Sequence, residues 1–146
     1  MKATVNRGSI LDLFEEIRAA FPALRMDLQQ EPVHVDLSLD IPKQPGLDFA
    51  VSLNLQGDEL HLSAASFWLE WFPCTNAEVM ARYRDAVHGL ISGRYRIVEH
   101  CVGTRAAKAQ LQRPDGNTWQ TIGTSSNWSA LISWRKTKRI LQNCAR

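Results

Sequence analysis

The sequence predicts an α+β domain in which an antiparallel sheet of about six strands carries helices on one face. Three observations lead there. Apolar and polar residues alternate with a period of two from Val33 to Ile41 and again from Phe49 to Leu55, as half-buried strands require. Val79, Met80, Tyr83, Val87, Leu90 and Ile91 fall on one stripe at helical spacing. Turn signals at Gly57-Asp58 and at Pro114-Asp115-Gly116-Asn117 join neighbouring strands as hairpins, and hairpins interrupted by lone helices build sheets covered on one side.

In chain order, Ser9 has the character of an N-cap, with Asp12 placed to favour the helix N-terminus. Ile10, Phe14, Ile17 and Phe21 recur at helical spacing and Pro22 closes the run, which predicts a helix near 9–21. The first strand runs over 33–41 and is broken by Pro42, Pro45 and Gly46; the second covers 49–55. Leu60, Leu62 and Ala64 begin a third, but Phe67-Trp68-Leu69-Glu70-Trp71-Phe72 is apolar on both sides and its parity slips at Ala65-Ser66. A bulge is expected at that slip. A strand apolar on both faces is covered on both, by a helix and by either the chain's own loops or another subunit.

Thr75-x-x-Glu78 has the form of a capping box after Pro73, and Gly93 stands where a C-terminal cap belongs. Arg82, Arg84, Asp85 and His88 occupy the far side of that second helix. Strands follow over 95–102, 107–112 and 119–123, then a Gly/Ser/Thr/Asn loop to residue 129. The tail, 131–142, fits helix or strand, with helix slightly favoured. The expected order is α-β-β-β-α-β-β-β followed by the tail, in one domain over 1–146. It hints at two αβββ halves, about 9–72 and 75–123, plus a tail at 130–146.

The chain's 146 residues are 45% hydrophobic and 22% charged, which suits one self-sufficient core rather than a disordered or stapled chain. Cys74, Cys101 and Cys144 are odd in number and widely spaced, the usage of free thiols in a reducing compartment. The first residues lack the apolar run of a leader, no stretch is long enough to span a bilayer, and a cytoplasmic protein without membrane contact is expected. Charge is uneven: residues 1–93 hold 7 Lys/Arg against 13 Asp/Glu, whereas 94–146 hold 10 against 2, so balances of −6 and +8 lie within a net +2. Either the halves pack and their fields cancel, or a basic face is open to an anionic partner.

No phosphate loop, nucleophile elbow, zinc-protease helix or calcium loop is present. His34, Asp36, Asp40 and His61 would converge if their strands were neighbours, although the wet face of a sheet reads the same way; no metal ligand or cofactor is assigned. Cys101 cannot reach His100, because adjacent side chains on a strand point apart, while Cys74 near a helix N-terminus has the better setting for a thiolate. Glu70 is expected either to pair with a cation such as Arg94 or Arg96, the favoured reading, or to sit in an apolar pocket. Trp68, Trp71 and Phe72 are the candidate partner-binding residues, since exposed aromatics anchor interfaces. Trp134, Arg135, Lys136, Lys138 and Arg139 are the candidate nucleic-acid contacts, with Trp119 and Trp128 upstream, because cations hold phosphates and rings stack on bases.

The element order resembles that of the type III secretion chaperone-like domains. The resemblance implies a small α+β dimer that binds extended segments of partner proteins. The basic C-terminal half departs from the acidic character of that group. The expected function is therefore a non-catalytic protein-interaction module acting as a homodimer. Nucleic-acid binding through the basic tail is the alternative, and a small-molecule or metal-dependent enzyme using His34, Asp36, His61 and Glu70 is the third.

Overall fold

A computed structural model describes residues 2–126 and 136–143. The chain runs α1 (Lys2–Ala20), β1 (Asp27–Gln29), β2 (Leu37–Ile41), β3 (Val51–Gln56), β4 (Glu59–Ala64), β5 (Phe67–Trp71), α2 (Ala77–Ser92), β6 (Arg96–Val102), β7 (Arg105–Asp115), β8 (Thr118–Ser126) and β9 (Lys136–Leu141). The α+β class and antiparallel pairing agree with the sequence, but the single sheet of about six strands does not. The strands form two sheets: a five-stranded meander, β1 to β5, and a four-stranded sheet in the order β8-β7-β6-β9.

The first sheet gains strands at two places. Three residues of β1 pair with β2. The apolar segment expected to continue one bulged strand is instead a new strand, because the chain reverses at Ala65-Ser66 and pairs Ala64 with Phe67. Ala65 takes φ +52°, the left-handed geometry of a tight turn. The parity slip is thus a hairpin. Bulges occur in the other sheet, between His100 and Cys101 and between Leu111 and Gln112. β2 begins only at Leu37, leaving Val33 89% exposed outside any strand.

Both helices differ slightly at their starts. α1 extends past Ser9 to Lys2, so Ser9 is an exposed mid-helix residue rather than a cap. Tertiary contacts support the extra turns: Asn6 is buried and the Arg7 guanidinium donates to the Gln30 carbonyl. α2 is capped by Asn76, one residue after the expected Thr75, and its side chain accepts from the Glu78 and Val79 N–H groups. Gly93 ends the helix at φ +80°, as expected. The described part of the tail is strand, not helix, and its residues pair along β6. Sheet pairing of β6 decides this, against a local pattern that fits either form.

One core holds the parts together. Leu39, Leu53, Leu62 and Leu69 stand opposite one another across β2 to β5, beside a second row of Leu37, Leu55, Leu60 and Trp71. Ile10, Leu13, Phe14 and Ile17 of α1, Tyr83, Val87, Leu90 and Ile91 of α2, and Ile97, Ala109 and Leu111 of the second sheet join the same buried cluster. The sheets meet where β5 lies against β7 and β8. A side chain at Gly123 would place its Cβ 2.8 Å from Leu69 Cδ2, so any other residue there would have to push the Leu69 methyl aside. Trp68 N–H donates to Ser125 Oγ at 3.3 Å, and Ser66 Oγ–H donates to Glu99 Oε2 at 2.6 Å.

Candidate functional site

The β4–β5 hairpin determines which side chains share the outward face of the first sheet. Residues two apart on a strand project to the same side. Leu60, Leu62, Ala64 and Phe67 are buried and Leu69 is partly so, which turns Glu59, His61 and Ser63 outward together with Trp68 and Glu70. The register sets His61 opposite Glu70 and Ser63 opposite Trp68. Trp68 remains 52% exposed, and Phe72, just beyond β5, 60%. Trp71 does not share this face: it packs on the core with its ring 5.4 Å from that of Tyr83, edge-on. Of the three aromatic residues put forward for partner contact, the structure places two at the surface and one against the core.

Between these aromatics lies an ionisable group. His61 Nε2 is 3.1 Å from Glu59 Oε2, and Glu70 supplies a third ligand-type atom, all three lying within 4.8 Å of one another. Tyr83, buried on α2, donates its hydroxyl to the His61 carbonyl at 2.8 Å and fixes that backbone from beneath. Burial pushes the Tyr83 phenol well above its ordinary value, so it stays protonated as a donor. On the other side of His61, Asn54 of β3 stands directly opposite, and its Oδ1 is buried without a hydrogen-bond partner among the described residues.

The other residues of the expected polar cluster go elsewhere. His34 is exposed outside β2. Asp36 accepts from the Gly57 N–H, and Asp40 accepts from Ser52 Oγ. Only His61 and Glu70 meet, joined by Glu59. Arg94 is not the partner of Glu70 but of Asp85, at 3.1 Å, and Arg96 lies over the Trp119 ring at 4.1 Å while bonding Gln112. Neither cysteine offers a nucleophile: Cys74 is buried, and burial together with the nearby Asp58 raises its pKa rather than lowering it. Cys101 is buried while His100, on the opposite face, bonds Gln110 at 2.8 Å.

No family model, curated protein or solved structure matches the chain.

The basic segment divides in the structure. Trp134 and Arg135 lie outside the described residues, as does Trp128, and Lys136 is placed only by its register opposite Val102. Arg139 is committed to the protein: its Nε and Nη2 donate to the two oxygens of Glu99 at 3.2 and 3.0 Å. Lys138 is exposed on the other face, opposite His100, which has Lys108 opposite it on its other flank. Arg96 and Trp119 add to this outward face of the second sheet. A shallow cleft of about 280 Å³ lies between α2 and β8, lined by Trp71, Arg82, Asp85, Arg113, Gln120 and Ile122. Asp85 and Arg82 there are engaged by Arg94 and Glu78.

Glu59 and Asn54 were not legible as site residues. One signal was available for Glu59: Glu59-x-His61 has the two-residue spacing of a shared strand face. Reading Ala65-Ser66 as a turn would have placed His61 and Glu70 equidistant from it.

Proposed function

We propose that this domain is a non-catalytic protein-interaction module that pairs with a second copy of itself through the outward aromatic side of β5. The observation that supports it is the exposure of Trp68 and Phe72, 52% and 60%, where most other large apolar side chains among the described residues are buried. Covering the exposed parts of both rings removes roughly 200 Å² of apolar surface per copy, or about 5 kcal/mol at 25 cal/mol per Å². Two copies contribute twice that, before the cost of association, which is of similar size. The result is a weak, concentration-dependent dimer.

Light scattering on untagged protein, with absorbance at 260 and 280 nm recorded across the peak, tests this. The expected mass rises toward two protomers near about 100 μM, and a Trp68→Ser/Phe72→Ser variant stays monomeric. A wild-type chain that remains monomeric at that concentration overturns the reading.

A second reading has its own support. The outward face of the second sheet carries His100, Lys108 and Lys138 in one cross-strand row and, further along, Arg96 stacked on Trp119, a setting suited to a phosphate backbone. A high 260 nm ratio in the same peak, and salt-dependent retention of single-stranded nucleic acid lost in Lys108→Glu/Lys138→Glu, are its expected signs. Arg139, paired with Glu99, has less of its charge to offer a phosphate.

A further inference from the structure

We propose that Glu59, His61 and Glu70 form a binding site for a divalent transition-metal ion of the zinc class. The inference is independent of self-association and rests on the donor set. Two carboxylates and one imidazole are a ligand combination that zinc accepts, with three protein ligands leaving a position for water or a further ligand.

The backbone supplies the pre-organisation. Glu59 and His61 are two apart on β4 and Glu70 is the direct cross-strand neighbour of His61, so three side chains rise from adjacent positions on one face. Donor atoms around a tetrahedral zinc ion lie roughly 3.3 Å apart, given metal–ligand bonds near 2.0–2.1 Å. The Glu59–His61 separation of 3.1 Å already meets this, and the widest separation, within 4.8 Å, closes by rotation of the exposed Glu70 side chain. The Tyr83 bond to the His61 carbonyl holds the middle ligand's backbone.

On the neighbouring strand β3, Asn54 stands opposite His61 in the same cross-strand row.

Isothermal titration of chelator-treated, untagged protein with zinc chloride tests the proposal, with histidine ring NMR as a second readout. The expected result is one saturable equivalent, at least tenfold weaker in both His61→Ala and Glu70→Gln, with the His61 ring resonances shifting on zinc addition. Magnesium is expected to give neither heat nor shift, since imidazole is a poor ligand for it. Absence of saturable zinc binding overturns the proposal. So does unchanged affinity in the folded His61→Ala or Glu70→Gln variant, or a zinc-induced shift confined to His34, His88 or His100.

Discussion

Removing Arg139 isolates a charge that the fold has buried. Glu99 is 1% exposed on the inward side of β6 and is satisfied by three hydrogen bonds, one from Ser66 and two from Arg139. Arg139→Met deletes the two charge-assisted bonds while keeping the apolar stem. Each such bond contributes about 1.5–3 kcal/mol net, but the Arg139 side chain is 58% exposed, so solvent already screens it. A loss of about 2–3 kcal/mol near pH 7 follows. With a urea slope of about 2 kcal/mol per molar, the unfolding midpoint falls by about 1 M.

The pH dependence carries the sign. Burial alone would raise the Glu99 carboxyl, but the Arg139 and Ser66 hydrogen bonds outweigh it, and the group titrates below its ordinary value. In the wild type its contribution is therefore full above the unfolded value near pH 4.3 and is lost as pH falls through the lower folded one. In Arg139→Met burial dominates, the carboxyl titrates high, and stability is regained as pH falls toward about 5. The gap between the two proteins should narrow between about pH 8 and pH 5 in urea titrations. A gap below about 0.5 kcal/mol near pH 7, or one that does not change with pH, would refute the assignment of Glu99 as a buried carboxylate held by β9.

Two further outcomes are expected. His88 packs beside Phe21, and burial lowers its pKa, with the Arg84 and Arg94 charges acting in the same direction against Glu16 and Asp85. The unfolded chain then takes the proton first, so stability declines as pH falls from about 6.5 through the folded value. His88→Gln should flatten the urea midpoint between about pH 7.5 and pH 5.5, and an unchanged slope would count against it. Gly89→Ala sets about 1 kcal/mol of helix propensity against about 1–3 kcal/mol of overpacking. The new Cβ would lie 2.3 Å from Tyr95 Cδ2, and Tyr95 is tied to Asp85 through its hydroxyl. Overpacking should win and lower Tm by several degrees; a rise would show that the ring moves freely.

Periodicity carried far in this chain where one face was wet and the other dry. β3, β4 and α2 were legible because each buries a regular set of residues, and Gly93 because a helix end needs a left-handed residue. The pattern failed where both faces are apolar. Phe67 to Phe72 gives no alternation to count, and an alanine at φ +52° hides a turn that glycine or asparagine would have announced. The division into two sheets rests on long-range contacts at Gly123, Ser125 and Glu99 that no local window contains. The same limit applied to the site. Trp68 and Phe72 could be named from composition, but Glu59 joins His61 and Glu70 only once the hairpin fixes the register.

The sheet margins constrain how this molecule can associate. An incoming strand needs an unguarded row of backbone donors and acceptors. β1 provides only three residues of such a row, and the margin at β5 lies against the second sheet, with its Trp68 N–H taken by Ser125. β9 carries the exposed Lys138 near its middle, and a charged residue on a short edge strand blunts pairing with another strand. That leaves β8, whose Thr118, Gln120, Thr121, Thr124 and Ser126 keep its flank polar. Among the described strands, addition of a further strand is thereby discouraged at three of the four margins.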